Sequence, residues 1–108
     1  MAMVKRGEIW LINLDPTVGS EIRKTRPCVV VSPAEMNAYL RTVIVAPMTS
    51  QGFDAPFRPT LTFQGTSGRI LLDQVRTVDK ARLVKKLGTL TTQTHQKVMK
   101  TLQELFAV

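Results

Sequence analysis

The sequence predicts a mainly β domain with one helix at its C-terminal end, an α+β fold built as a small barrel or a strongly bent sheet. Three observations lead there. Short runs of Val, Ile and Leu recur through the first four-fifths of the chain, most of them closed by Pro, Gly or Asp. The period changes only near the end, where Val98, Leu102 and Leu105 fall at i, i+4 and i+7, with Met99 and Phe106 on the flanks. A chain of 108 residues fills one core and divides poorly into two, and no repeat or Ser/Gly linker interrupts it, so residues 1–108 read as a single domain.

Taken in order, Gly7-Glu8-Ile9-Trp10-Leu11-Ile12-Asn13-Leu14 reads as the first strand, ended by a turn at Asp15-Pro16-Thr17. The polar stretch from Val18 to Thr25, with Gly19 inside it, reads as a loop. Cys28-Val29-Val30-Val31 is a β-branched run short enough for a buried strand, stopped by Pro33. Ala34 to Leu40 has room for one or two helical turns. Thr42-Val43-Ile44-Val45-Ala46 is another β-branched run, which Pro47 is expected to end. Residues 50–59, with Gly52, Pro56 and Pro59, form a loop of the length that is often functional or mobile. Thr60-Leu61-Thr62-Phe63 alternates as a strand, residues 65–68 read as a turn, and Ile70 to Val75 and Leu83 to Leu87 read as further strands. Gly88 is expected to break the chain, and Thr91 or Thr92 to cap the terminal helix.

Composition narrows the function. A hydrophobic fraction of 44% excludes wholesale disorder. One Cys excludes an intramolecular disulfide framework and a multi-Cys zinc site; with one His, zinc would need carboxylates or a second subunit. No metal and no other cofactor is expected. There is no run of about 18 apolar residues to span a membrane. The start, Met1-Ala2-Met3-Val4-Lys5-Arg6-Gly7, lacks the apolar stretch of a signal peptide, so a cytoplasmic location is expected. The net charge of +7 favours a polyanionic partner, a nucleic acid or an acidic protein. Residues 1–31 carry five basic and three acidic side chains, residues 32–68 two of each, and residues 69–108 eight and three. The excess therefore sits in the two ends of the chain, which a fold can bring to one face.

No phosphate-binding glycine loop and no Ser/His/Asp spacing is present. His95 reads as a surface or packing residue, and Cys28, inside an apolar run, as a buried structural thiol. What remains is Arg, Thr, Ser and Asp at strand ends. Pro27 holds Arg26 toward extended geometry, where its fork of donors can be aimed at a phosphate. Thr49 and Ser50 follow at the mouth of a loop with hydroxyls to offer. The plainer reading of the same residues is a solvated Arg and a Ser/Thr turn.

Arg6-Gly7-Glu8-Ile9-Trp10, Leu14-Asp15-Pro16-Thr17-Val18-Gly19-Ser20-Glu21 and Thr25-Arg26-Pro27-Cys28-Val29-Val30-Val31-Ser32-Pro33 resemble, in order, the opening blocks of the MazF/PemK family. Val45-Ala46-Pro47-Met48-Thr49-Ser50 and Leu72-Asp73-Gln74-Val75-Arg76-Thr77-Val78-Asp79 resemble two later ones. These are the toxin components of bacterial toxin–antitoxin pairs. The resemblance spans nearly the whole chain. It implies a compact barrel related to the SH3 and CcdB-type folds with a C-terminal helix, usually a homodimer. It implies a sequence-specific, metal-independent endoribonuclease that cuts single-stranded RNA such as mRNA, leaving 2′,3′-cyclic phosphate and 5′-hydroxyl ends, and so inhibits translation. It implies a cognate acidic antitoxin whose partly disordered tail wraps the toxin, which suits a +7 chain.

Matched block by block, Arg26 and Thr49 fall on the family's catalytic pair, Ser20 on a position that often contributes to the site, and Asp73 on a carboxylate that some members use. Internal attack by the 2′-OH needs charge stabilisation on the phosphorane and two proton transfers. Arg26 serves mainly the first, with proton donation also open to it, since a guanidinium is a poor base at neutral pH. Thr49 can fix the phosphate oxygens. Asp73 is either a base or a positioner of Arg26 or Arg76. One branch of the family carries an Arg two residues before this Asp; here that position is Leu71, so the Arg–Asp mechanism of that branch would need Arg69 or Arg76 to fill the space. Ser50, Lys24, Arg23, Arg76, Lys80, Arg82, Lys85 and Lys86 are candidates for the RNA backbone. Phe53 and Phe57 either stack on unpaired bases or plug their loop into the core. Two alternatives stand beside this reading: a toxin of the same fold that poisons DNA gyrase without cutting, and a degenerate member that only binds RNA or antitoxin.

Overall fold

The computed structural model describes residues 3–108; Met1 and Ala2, the first of the residues read as unlike a signal peptide, lie outside them. The strands are β1 (Glu8–Asn13), β2 (Thr25–Val30), β3 (Thr42–Thr49), β4 (Thr60–Phe63), β5 (Thr66–Ile70), β6 (Arg76–Asp79) and β7 (Leu83–Thr89). Helix α1 (Ala34–Tyr39) joins β2 to β3, and α2 (Thr92–Leu105) closes the chain, its Thr91 cap accepting from the Thr94 amide. The strands form one antiparallel sheet in the order β4-β5-β3-β2-β1-β7, with β6 also paired to β3. The sheet curls into a half-barrel. Its outer strands meet through a side chain: a Cβ on Gly88 of β7 would lie 3.3 Å from the Phe63 ring of β4.

Both faces of the central strands are covered, which is why they read as continuous apolar runs. Val29, Ala46 and Met48 face α2 with Ile9, Ile70, Leu72 and Val98; Cys28, Val30, Val43 and Val45 face the other way with Ile12, Leu14 and Val78. The helical stripe holds in part. Val98 is fully buried and Met99 and Leu102 pack against the same core, whereas Leu105 and Phe106 are exposed.

Four local expectations are corrected. Pro47 does not end β3. The strand pairs with β6 up to Val45 and with β5 from Met48, and Pro47 occupies the step between them. Its carbonyl accepts the Leu71 amide there, and nothing needs the missing N–H. Residues 66–68 are strand and not turn. Gln64 and Gly65, both at positive φ (51° and 77°), form the two-residue hairpin bend, and the small residues Thr66-Ser67-Gly68 hid the strand behind it. The run Ile70 to Val75 breaks into a 3₁₀ turn at Leu72–Gln74, and the strand follows at Arg76. Gly88 continues β7 instead of breaking it.

Candidate active site

The site begins where a ladder stops. Strands β2 and β3 pair only from Cys28↔Pro47 to Val30↔Val45. Beyond that point Pro27 has no N–H with which to continue, and the two strands part. Arg26 and Pro27 line one wall of the gap, and Met48, Thr49 and Ser50 the other. The β4–β5 hairpin supplies the floor through Phe63, Thr66, Ser67 and Gly68, enclosing a groove of about 280 Å³. Gly68 lets the strands approach closely there: a Cβ would sit 3.2 Å from the Thr49 carbonyl. The lining offers one guanidinium and four hydroxyls, with no carboxylate and no imidazole. Such a lining stabilises an anion with several acceptor oxygens.

Arg26 is half-buried, and its Nε donates to the Arg23 carbonyl at 2.9 Å, which leaves the two terminal nitrogens for a ligand. Thr49 Oγ1 accepts from the Gln51 amide at 3.1 Å and keeps its own proton to donate. Ser50 is exposed at the rim.

Asp73 and Arg76 lie outside this groove. They line an adjoining depression with Glu21, Ile22, Pro47 and Gln74. Asp73 is paired with neither Arg26 nor Arg76, and the space left by Leu71 is filled by neither Arg69 nor Arg76. Its partner is Arg58, which sequence reasoning did not single out: Nε to Oδ1 at 3.0 Å and Nη2 to Oδ2 at 2.9 Å. The Arg58 hydrogen bonds hold the Asp73 carboxyl below the ordinary range, and Asp73 in turn raises Arg58. Arg69 pairs with Asp54 at 2.8 Å, Arg76 donates to the Leu14 carbonyl at 3.2 Å, and buried Leu71 sends its amide to Pro47. Arg58 stands between Phe57 and Pro59 in a loop, with no periodicity to mark it.

The other predicted contacts spread out. Ser20 is exposed at the tip of the β1–β2 loop. Lys24 is exposed, has φ 76°, and gives its amide to Asp15. Phe53 is 61% exposed, with the Arg58 guanidinium over its ring at 4.3 Å, while Phe57 is half-buried. Lys80 is tied to the Asn37 carbonyl in α1 and does not line the groove. Arg82 donates to the carbonyls of Asn13 and Asp15, and Lys86 pairs with buried Glu8 at 3.0 Å. Cys28 is buried, which pushes its thiol up to about 12, and His95 packs its ring against Gly7. Among the described residues no cluster of three or more His, Cys, Asp or Glu could hold a metal, and no helix is long and apolar enough to cross a membrane.

Residues 5–106 match the family described as PemK-like, MazF-like toxin of type II toxin–antitoxin system. The chain is 46% identical over 90 residues to the endoribonuclease PemK of Escherichia coli, an alignment covering 78% of this chain and 68% of that one. It superposes on the crystal structure of MazF from Deinococcus radiodurans with a TM-score of 0.88 and 28% identity over the whole of both chains. A MazE–MazF complex from the same organism gives a TM-score of 0.80 and 25% identity, covering 100% of this chain and 99% of that one.

Proposed function

The chain belongs to the PemK-like, MazF-like toxins of type II toxin–antitoxin systems, and on that premise we propose that it is an endoribonuclease whose groove between β2 and β3 holds the scissile phosphate of single-stranded RNA. One observation carries the assignment: Arg26 and Thr49, from strands that part at Pro27 and Pro47, line the same acid-free groove. In the reaction the 2′-oxygen forms a bond to phosphorus and the bond to the 5′-oxygen breaks. The products are a 2′,3′-cyclic phosphate and a 5′-hydroxyl. One proton leaves the 2′-OH and one reaches the 5′-oxygen. Arg26 offers its terminal nitrogens to the phosphorane oxygens, where charge builds up most in the transition state. Thr49, with Ser50 and Ser67 nearby, fixes those oxygens. The attack is internal, so no bound water or metal has to supply the nucleophile. Asp73, with both oxygens engaged by Arg58, is a weaker base than a free carboxylate and serves position better than proton transfer.

On this reading the whole chain is one toxin domain acting in the cytoplasm as a homodimer, with mRNA as target and an acidic antitoxin as its neutralising partner. Arg23, Lys24 and Arg76 contact the RNA backbone, Ser20 joins the site from its loop, and Phe53 stacks on a base beside the cut. Lys80, one of whose three ammonium protons is engaged by the Asn37 carbonyl, stands away from the groove. The test is incubation with a long single-stranded RNA in EDTA and sequencing of the new 5′ ends. Cuts at one short motif bearing 5′-hydroxyls are expected, and none from Arg26→Ala or Thr49→Ala. Both variants cutting at the wild-type rate would refute the site. A folded, antitoxin-free protein that leaves RNA intact but stalls gyrase would move the assignment to the gyrase-poisoning alternative.

A further inference from the structure

We propose that the 3₁₀ turn Leu72–Gln74 sets the register of the groove, with Gln74 positioning Arg26 on one wall and Asp73 restraining the loop that continues the other. The proposal rests on the groove being the cleavage site, and its test separates the two. Gln74 Oε1 accepts the Ile22 amide at 2.8 Å, across 52 residues of sequence. The next residue, Arg23, presents the carbonyl that holds Arg26 Nε at 2.9 Å. Among the described residues this is the one hydrogen bond made by the Arg26 side chain. The direction in which Arg26 presents its two terminal nitrogens is therefore set at Arg23, and Arg23 is held through Ile22 by Gln74.

Asp73 works on the opposite side. Through Arg58 it ties down the loop that leaves Thr49 and Ser50, and the same guanidinium carries the Phe53 ring. The turn is itself fixed at the point where the groove opens. Leu71 and Leu72 are buried, the Leu71 amide bonds to the Pro47 carbonyl at 2.8 Å, and Pro47 makes the last pair before β2 and β3 part. Two consecutive side chains on one anchored turn thus reach loops on both sides of the site. Neither needs to touch the phosphate. In-line attack tolerates little misplacement: about 1 Å costs on the order of a hundredfold in rate. Gln74, Asp73 and Arg58 are positioning residues of the reaction.

The test compares wild type with Gln74→Leu, which removes the acceptor at similar size, and Gln74→Glu, whose carboxylate still accepts the Ile22 amide. The first readout is single-turnover cleavage of the long RNA in EDTA across a pH series. The second is the Arg26 Nε–H resonance, assigned by its loss in Arg26→Lys. Gln74→Leu is expected to cut roughly ten- to a hundredfold more slowly, with an unchanged pH profile and unchanged binding of an RNA whose reactive 2′-hydroxyl is removed. Its Arg26 Nε–H is expected to lose protection from solvent exchange. Gln74→Glu is expected to recover most of the rate and the protection. An Arg26 Nε–H as protected in Gln74→Leu as in wild type overturns the proposal, and so does a Gln74→Glu that behaves like Gln74→Leu. Gln74→Met replaces the leucine variant if that one does not fold. A wild type that cuts no RNA refutes the nuclease reading alone, and the resonance still decides the positioning.

Discussion

Removing the Arg58–Asp73 pair is the sharpest probe of how the β3–β4 loop is held. The two bonds are charge-assisted and bidentate, at 3.0 and 2.9 Å. The side chains are 11% and 28% exposed, which places the pair between a solvent-screened ion pair and a buried one. Exposed pairs contribute about 0.2–1 kcal/mol, and hydrogen bonds to charged groups about 1.5–3. For a half-screened pair on a loop, a coupling of about 1–2 kcal/mol is expected. In a chain of this size each kcal/mol moves Tm by about 4–8 °C. The assay is a double-mutant cycle of thermal unfolding with Arg58→Met, Asp73→Asn and both together. The singles are expected to lose similar amounts, and the double little more than either. The pH dependence has a definite sign. Arg58 holds the folded-state carboxyl below its unfolded value. The contribution is therefore present above the unfolded value of about 3.9 and is lost as pH falls through the lower folded value. The gap between wild type and Asp73→Asn is expected to stay constant from neutral pH down to about 5 and to close only in stronger acid. A coupling indistinguishable from zero, or a gap that closes near neutral pH, would refute the assignment of this pair as the loop's restraint.

Arg26→Lys keeps the charge and loses the fork, so single-turnover cleavage is expected to fall by at least about a hundredfold with Tm unchanged; near-wild-type cutting would show that charge alone suffices. Cys28, buried with its thiol pushed up to about 12, is expected to resist a thiol-specific reagent in native buffer and to react at once in guanidinium; fast native labelling would contradict its packing. Gly88→Ala places a Cβ 3.3 Å from the Phe63 ring, which also lines the groove, and is expected to lower stability by about 1 kcal/mol in denaturant unfolding; an unchanged midpoint would mean that the ring yields freely.

The fold was legible where a single residue property controls it. The runs Cys28–Val31 and Thr42–Ala46 are buried on both faces, and Val98 begins the helical stripe and is its fully buried member, so hydrophobicity alone locates them. It was not legible where pairing controls it. Thr66-Ser67-Gly68 carries turn composition, yet β4 draws it into a ladder, and Pro47 is tolerated in β3 only because the partner changes at that step. The candidate site divides in the same way. Arg26 and Thr49 carry recognisable local patterns. Arg58 is the partner of Asp73 only in three dimensions, across 15 residues of loop and hairpin, and Gln74 reaches Ile22 across 52. No local pattern encodes such separations, and a polar residue between ordinary neighbours does not announce a long-range bond.

The arrangement of charge suits a groove proposed to take both RNA and an acidic antitoxin segment. The acids on and beside the β3–β4 loop are already answered, Asp54 by Arg69 and Asp73 by Arg58, and Glu8 is answered by Lys86 on β7. Burial pushes the Glu8 carboxyl up, but the Lys5 amide, the Trp10 indole and Lys86 outweigh that push and hold it below its ordinary value. The groove lining itself carries Arg26 and no carboxylate, and exposed Arg23 and Lys24 precede it in the β1–β2 loop together with the acids Asp15 and Glu21. On the proposed reading, an RNA backbone and an acidic antitoxin segment are drawn to the same cations, Arg26 first among them. On that reading neutralisation needs only occupancy of the groove. Inhibition by the antitoxin and binding of an uncleavable RNA are accordingly expected to weaken together as salt rises. An antitoxin whose inhibition is indifferent to salt while RNA binding falls steeply would place its grip elsewhere on the molecule.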